Sequence, residues 1–166
     1  MSNYRRTLSA GHTYFFTVNL AQRRGNDLLI KHIDSLREAF SKVQRYRPFV
    51  IHAIVILPDH LHCLWQLPEN DSDYSTRWRL IKSEFSKRII YGEDITASRL
   101  RKGERGLWQR RYWEHLIRDE RDFVAHVKYI YNNPVKHGYV QQAADWPYCR
   151  VGCNPPNFTI TDNGGV

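Results

Sequence analysis

Two histidines separated by a single residue are the first feature of this sequence that could do chemistry. His60 and His62 flank Leu61 in a stretch of apolar residues. If the stretch is a strand, side chains alternate between the two faces of the sheet, so both imidazoles project from one face and Leu61 projects from the other. Neighbouring imidazoles on a strand form a good partial site for a divalent ion. A His-x-His pair by itself is more often structural than metal-binding, so a further ligand is needed to decide.

The second feature is the segment YIYNNP, at the end of a predicted helix. Val124, Val127 and Tyr131 share a helical stripe, which predicts that Tyr131 belongs to the core. Tyr129 lies away from that stripe and shares a face with Asn133, four residues later. This face offers a phenol that could act as a nucleophile and an amide oxygen that could complete a His-His-Asn metal shell. The alternative is a surface tyrosine followed by an asparagine at the helix end.

The elements that must position these residues follow from hydrophobic periodicity and turn signals. The predicted strands are His12–Leu20, Phe49–Leu57, His60–Leu67 and Tyr112–Arg118, and the predicted helices are Leu28–Tyr46, Ser75–Tyr91 and Asp119–Asn133, the last closed by Pro134. The order βαββαβα is typical of a ferredoxin-like (RRM-like) α+β fold, in which helices pack on an antiparallel sheet.

The domain organisation predicted from this pattern is simple. We expect one domain over residues 1–150, with a polar, charged loop at 92–106. From Gln141 onward prolines, asparagines and glycines dominate, which predicts a surface tail, and residues 151–166 are assigned to a C-terminal tail outside the domain.

Charge and composition indicate the class of partner. The chain has 25 Lys and Arg against 17 Asp and Glu, a net charge of +8, and this balance favours nucleic acid as the partner over other classes. An aromatic content of 13% supports base stacking, although a merely basic protein remains an alternative. Apolar runs fall far short of the ~20 residues of a membrane helix. With no secretory signal at the N-terminus, a cytoplasmic location is expected.

Three blocks of this sequence together resemble the REP-associated tyrosine transposases, which are single-strand transposases with a His-hydrophobe-His metal motif and one catalytic tyrosine. The blocks are LPDHLHCLW (57–65), WQRRYWEH (108–115) and YIYNNPVKHGYV (129–140), and the opening YRR…GHTYFFTVNL extends the resemblance over about residues 4–150. The resemblance implies that His60 and His62 are the metal histidines, Tyr129 the nucleophile and Asn133 the third ligand. The wider superfamily often has Gln where this chain has Asn133, and both residues present an amide oxygen.

The activity that the resemblance implies is DNA strand transfer by a metal-dependent endonuclease. Its substrate would be single-stranded DNA next to a short palindromic hairpin, its cofactor Mg²⁺ or Mn²⁺, and its intermediate a covalent 5′-phosphotyrosine. The protein would act as a monomer or a homodimer, without a membrane partner.

Basic residues outside the motifs are candidates for contacts to the DNA backbone. They lie in an N-terminal arm, on the predicted basic helix Ser75–Tyr91, before the last predicted strand and after the predicted catalytic helix. For each of them solvated surface charge is the plain alternative. The candidates are Arg5, Arg6, Arg77, Arg79, Lys82, Arg110, Arg111 and Lys136.

Competing functions remain open at this point. A replication-initiator or relaxase-like nickase uses the same metal and tyrosine chemistry, usually in chains with further domains. A non-catalytic module that binds single-stranded nucleic acid explains the charge and the aromatic content, but has no need of both histidines, Tyr129 and Asn133 in register. A repressor or toxin that acts by DNA binding alone would tolerate Tyr129→Phe.

Overall fold

A five-stranded antiparallel sheet organises the protein, and the computed structural model describes the chain over residues 10–89 and 106–152. The strands are β1 (Thr13–Asn19), β2 (Val50–Ile56), β3 (His60–Gln66), β4 (Trp113–Leu116) and β5 (Cys149–Val151), in the spatial order β4-β1-β3-β2-β5. The helices are α1 (Leu28–Lys31), α2 (Ile33–Tyr46), α3 (Tyr74–Arg88) and α4 (Glu120–Lys136), and a 3-10 turn covers Ala143–Asp145. The predicted α+β, ferredoxin-like arrangement is confirmed, with β5 added beside β2.

Strand β3, which carries both histidines, is the central strand of the sheet. It pairs with β1 on one side and with β2 on the other, so its backbone is held along both edges. A tight turn at Pro58 and Asp59 joins β2 to β3, closed by a hydrogen bond from the Leu57 amide to the His60 carbonyl at 2.8 Å. Ladder bonds on both sides therefore position the two imidazoles more rigidly than an edge strand or a loop would.

The alternation of β3 divides the molecule into two packed layers. Leu61 and Trp65 belong to a core shared with α2 and α3 on one face of the sheet. Leu64 belongs to a second core on the other face, together with Ile130 of α4. His60, His62 and Leu64 are alternate residues of β3 and project from the same face. Both histidines therefore face α4, as the strand prediction requires.

The buried stripe of α4 differs from the predicted one. Phe123, Val127, Ile130 and Pro134 are buried, whereas Tyr131 is 41% exposed. The prediction that Tyr131 is a core residue is therefore wrong. The larger apolar side chains set the buried face, and a residue next to Ile130 is turned about 100° away from it.

Pro134 lies inside α4 and does not end it. A proline inside a helix removes one amide hydrogen bond, which at this position is the bond to the Ile130 carbonyl. The last turn is completed by bonds from the His137 amide to the Asn133 carbonyl and from the Tyr139 amide to the Pro134 carbonyl, each at 3.0 Å. The prediction that Pro134 closes the helix is wrong, and the consequence is that Lys136 belongs to the same helix as Tyr129.

The segment after Gln141 also departs from the sequence prediction. Instead of forming a surface tail, it makes the 3-10 turn and then β5, in which Val151 pairs with Ala53 of β2. Trp146 anchors the segment by donating its indole N–H to the Ile56 carbonyl at 3.0 Å. Strand β5 crosses the boundary predicted at residue 150, and the division into a domain and a tail stays a prediction.

Two smaller differences concern the predicted helices and loop. The single helix predicted over Leu28–Tyr46 is interrupted at His32, whose backbone has φ −115° and ψ 38°. The loop predicted at 92–106 lies outside the described residues, apart from its last member. Within the described ranges no helix is both long enough and apolar enough to cross a membrane.

Candidate active site

His60 and His62 form a close pair on the α4 face of the sheet. Their ring centroids are 5.0 Å apart with the rings nearly perpendicular, and each residue is only 3% exposed. The structure therefore brings the two predicted metal histidines together on one face, as β3 alternation requires.

His62 is oriented by the neighbouring strand β1. Its Nδ1 lies 2.8 Å from the hydroxyl of Thr17, and its buried Nε2 has no hydrogen-bond partner within the described structure. With the hydrogen on Nδ1 donated to Thr17, the Nε2 lone pair is free. Burial, reinforced by the charges of His60, His137 and Lys136, lowers the pKa of His62 to about 3, so the ring stays neutral, the form that binds a metal.

His60 is oriented by a carboxylate. Its Nδ1 lies 2.6 Å from Asp59 Oδ1, and Asp59 Oδ2 accepts a 2.7 Å bond from Arg23 Nε. Arg23 Nη2 also lies 3.3 Å from His60 Nδ1, but the shorter contact to Asp59 indicates that Nδ1 donates to the carboxylate. Burial lowers the pKa of His60 and Asp59 opposes that shift. Metal-binding histidines commonly donate their second nitrogen to a carboxylate in this way.

Asn133 lies on α4, the helix that faces the two histidines, and it also has unpaired buried atoms. It is 1% exposed, and neither Oδ1 nor Nδ2 of its amide has a partner within the described ranges. Leaving a buried polar group unpaired costs about 1–3 kcal/mol. The other unpaired buried atoms of the described structure are indole N–H groups of tryptophans, which are donors only. His62 and Asn133 are thus the residues whose unpaired atoms could bind a cation.

Tyr129 lies beside His62. Its ring centroid is 5.1 Å from that of His62 and 5.8 Å from that of Phe15, which itself stacks on His62 at 5.6 Å. Lys136, two turns later on α4, places its Nζ 5.2 Å from the centre of the Tyr129 ring. Tyr129 is 39% exposed, so its phenol is accessible to a ligand while it contacts a buried imidazole.

Several residues that shape this site were not found from the sequence. Thr17 and Phe15 are far from the histidines along the chain, and only the register of β1 against β3 brings them there. Arg23, in the loop after β1, reaches the site through its bond to Asp59. Asp59 precedes His60 directly, which was a usable signal for a carboxylate partner.

A second group of possible metal ligands lies between β4 and α4. One ligand atom from each of His115, Asp122 and His126 falls within 4.8 Å of the others. The imidazoles of His115 and His126 stack at 4.8 Å with an angle of 18° between them. Nitrogen lone pairs lie in the plane of an imidazole, so parallel stacked rings do not direct them to one point. His115 Nε2 and Arg118 Nε both donate to Asp122 Oδ2, at 2.8 and 3.1 Å, and the group acts as an anchor for α4.

Replacing Asp122 with alanine is expected to destabilise the fold by about 2 kcal/mol, because a buried carboxylate that accepts hydrogen bonds from His115 and Arg118 is lost. The same-turn variant Glu120→Ala, at an exposed position, should change stability by about 0.5 kcal/mol or less. Hydrogen bonds from Arg118 and His115 hold the pKa of Asp122 well below its usual value, against the effect of burial. The contribution of Asp122 to the free energy of unfolding is therefore fully present above the ordinary carboxyl pKa of about 3.9. It is lost as the pH falls through the lower pKa that Asp122 has in the folded protein. Urea unfolding of the two variants at neutral and acidic pH measures both effects.

Arg77 is not available for DNA. It is 1% exposed, and all five of its N–H groups are used: Nε donates to the Arg47 carbonyl, Nη1 to Asp71 and the Asp73 carbonyl, and Nη2 to the Pro48 carbonyl and Asp71. The prediction that Arg77 binds the DNA backbone is wrong, because a side chain with every donor buried and paired cannot reach a phosphate.

The other basic candidates on α3 lie on the layer opposite the histidines. Arg79 is exposed there, and Lys82 donates to the Gln109 carbonyl at 3.0 Å and lies 5.1 Å from the ring of Tyr112. The sheet therefore separates these charges from the candidate nucleophile, and their contact with DNA stays a prediction.

The remaining basic candidates are at other places in the chain. Arg110 and Arg111 are exposed just before β4, and Lys136 is exposed beside the candidate nucleophile. Arg5 and Arg6 lie outside the described residues. Lys136 is the candidate that the fold places in the site.

Comparison with known proteins identifies the family. Residues 11–133 match the family described as IS200-like transposases. A REP-associated tyrosine transposase of Escherichia coli K12 is 49% identical over 148 residues, covering 89% of this chain and 81% of that protein. The chain belongs to the REP-associated tyrosine transposases. The resemblance carried by the three sequence blocks is thereby confirmed, and this transposase is an enzyme.

Two further relatives agree with this family. A relative from Haemophilus influenzae is 47% identical over 149 residues, covering 89% of this transposase and 84% of the relative. A solved structure of a REP-associated tyrosine transposase bound to a REP hairpin superimposes with a TM-score of 0.78 at 48% identity, covering 90% of this chain and 82% of that one. The fold of this transposase is therefore the fold of a family member that has been seen with hairpin DNA.

Proposed function

We propose that this transposase cleaves and rejoins single-stranded DNA beside short palindromic hairpins through a phosphotyrosine formed on Tyr129. The observation that supports this most is the contact of Tyr129 with His62, whose buried Nε2 has no partner in the described structure. A potential nucleophile and a potential metal ligand thus share one face of the sheet. The related transposase bound to a REP hairpin supports hairpin DNA as the partner.

We further propose that His60, His62 and Asn133 hold a divalent cation, Mg²⁺ or Mn²⁺. The fit rests on the unpaired His62 Nε2 and Asn133 amide, and on the Asp59 and Thr17 contacts that orient the imidazoles. When bound, such an ion polarises the scissile phosphate and neutralises its charge. Two nitrogen ligands suit Mn²⁺ better than Mg²⁺, which prefers oxygen.

The covalent step is an exchange of one ester for another at phosphorus. The Tyr129 oxygen attacks the phosphorus, the bond from phosphorus to the 3′ oxygen breaks, and the 5′-phosphate becomes linked to the tyrosine. The phenol proton passes to solvent and the departing 3′ oxygen takes a proton, so a 3′-hydroxyl is released. The ammonium of Lys136, whose Nζ lies 5.2 Å from the centre of the Tyr129 ring, assists by favouring the negative charge that develops on the attacking oxygen.

Rejoining follows from the same intermediate. A 3′-hydroxyl of a second strand attacks the phosphotyrosine, the bond between phosphorus and the Tyr129 oxygen breaks, and a new phosphodiester forms. A relaxase-like nickase would share the first step, and a non-catalytic binding module would show neither step. Oligomeric state and cellular location remain predictions.

The DNA at the cut should have to be single-stranded, because Tyr129 lies against the His62 ring close to the sheet, and a stiff duplex cannot bend its backbone into that contact. Incubation with Mn²⁺ and a labelled REP hairpin carrying unpaired flanks should give a covalent protein–DNA adduct on denaturing gels. The same hairpin with its flanks made duplex should give none. Binding should weaken steeply as salt rises, because phosphate contacts release counterions. Equal adduct formation on blunt duplex DNA without a hairpin would contradict the proposal.

A further inference from the structure

A row of aromatic side chains leads away from the candidate metal histidines. The ring centroid of His137 is 5.2 Å from that of His60 and 6.1 Å from that of Tyr139, and Tyr139 lies 5.3 Å from Trp146 at an angle of 29°. Tyr148 follows, edge-on to Trp146 at 5.5 Å. We name His137, Tyr139, Trp146 and Tyr148 the aromatic row. The metal site and the nucleophile described above use none of them.

The backbone and the core hold the row in place. Gly138 adopts a φ of +75°, which reverses the chain directly after α4, and the Tyr139 amide bonds to the Pro134 carbonyl at 3.0 Å. The indole of Trp146 donates to the Ile56 carbonyl at the end of β2, and its ring packs against the second core. The row is therefore ordered before any ligand arrives.

The end of the row nearest the histidines is open to solvent and surrounded by cations. Tyr139 is 43% exposed, and His137 is exposed as well. Lys136 is exposed at the end of α4, and Arg23, beside His60, has a side chain that is 46% exposed. Burial and the Asp59 carboxylate raise the pKa of Tyr139, so its phenol stays neutral and does not repel an anion.

We infer that the aromatic row is a stacking surface for an unpaired base next to the cleaved phosphate, with Tyr139 as its main contact. The inference rests on the proposed function, since it assigns part of the same substrate. A base has an apolar face that stacks on aromatic rings, and its phosphate needs cations nearby. The row supplies the ring, Lys136 supplies the charge, and the contact of His137 with His60 makes the surface continuous with the site.

The decisive variant is Tyr139→Ala, compared with Tyr139→Phe, which keeps the ring. The probe is the REP hairpin with unpaired flanks, in which 2-aminopurine replaces one flanking base at a time. Affinity measured by fluorescence anisotropy should fall about tenfold for Tyr139→Ala and should be nearly unchanged for Tyr139→Phe. Stacking on Tyr139 quenches the fluorescence of 2-aminopurine, so the quench at one flanking position should be lost in Tyr139→Ala and kept in Tyr139→Phe. Tyr131→Ala is the matched control, because Tyr131 is 41% exposed, much like Tyr139, but lies on the preceding helix α4 and outside the row.

An abasic site at the quenched position gives an independent check. It should weaken binding of the wild-type protein about as much as Tyr139→Ala does. The abasic site and Tyr139→Ala combined should lower the affinity little more than either change alone. Thermal melting of Tyr139→Ala shows whether a loss of affinity is a loss of fold, and the abasic probe needs no variant at all. Wild-type affinity in Tyr139→Ala, or an equal loss on a hairpin without flanks, would overturn the inference.

The same experiment separates the two proposals. If the wild-type protein forms the adduct but no flanking base depends on Tyr139, the stacking surface is wrong and the proposed function stands. If a flanking base is quenched in a Tyr139-dependent way but no adduct forms with Mn²⁺, the proposed chemistry is wrong and the stacking surface stands.

Discussion

Replacing Tyr129 with phenylalanine is expected to eliminate the covalent protein–DNA adduct, with cleavage reduced by about four orders of magnitude or more. The change removes only the attacking oxygen. The ring that contacts His62 and Phe15 is retained, so stability should change by about 0.5 kcal/mol or less. Hairpin affinity should also remain close to that of the wild type. Denaturing gels of the adduct, with anisotropy for binding, measure both quantities.

The control for this variant is Tyr131→Phe, two residues further along α4. The rotation of about 200° between these positions places only one of them beside His62. Both tyrosines are similarly exposed, at 39% and 41%, so exposure does not distinguish them and only the contact with His62 does. Tyr131→Phe should keep full adduct formation. A DNA-linked peptide that mass spectrometry assigns to Tyr131 would show that the helix face has been chosen wrongly.

The sequence was most informative where the alternation of side chains was fixed by residues that must be buried in the core. A shift of one residue along β3 would move both histidines to the other face and expose Leu61, so the parity of that strand could be predicted. The spacing of Tyr129 and Asn133 likewise requires only that the segment be helical. The assignment of Tyr131 to the core failed because it depended on choosing between two adjacent stripes, and Ile130 and Phe123 decided in favour of the other one.

Contacts between distant parts of the chain could not be predicted in the same way. Arg77 is a basic residue on a charged helix, as a DNA-binding residue would be, yet its guanidinium donates to the carbonyls of Arg47 and Pro48. These carbonyls lie near Arg77 only in the folded chain. The partner of Asp59 is Arg23, in the loop after β1. Polar composition after Gln141 suggested a tail, whereas the single Trp146 anchor and the pairing of β5 hold that segment on the sheet.

Replacing His60 and His62 with alanine is expected to abolish adduct formation and Mn²⁺ binding while most hairpin affinity remains. The reason is that the two imidazoles offer ligand nitrogens, whereas phosphate contacts are expected from basic residues elsewhere. Wild-type protein should lose activity in EDTA and regain it with Mn²⁺. Asp59→Asn, which weakens the hydrogen bond that orients His60 and also the ion pair with Arg23, should lower metal affinity about 10- to 100-fold.

The matched control for the histidine variants is His115→Ala, in the stacked group that anchors α4. Its imidazole is bonded to Asp122 and cannot share a coordination point with the parallel ring of His126, so its loss should lower stability and leave Mn²⁺ binding intact. Titration of Mn²⁺ by calorimetry, with melting curves for each variant, separates the two groups. If Mn²⁺ binding survives in the double variant but is lost in His115→Ala, the metal site is the group of His115, Asp122 and His126. Full cleavage by the double variant would remove the metal from the proposed reaction altogether.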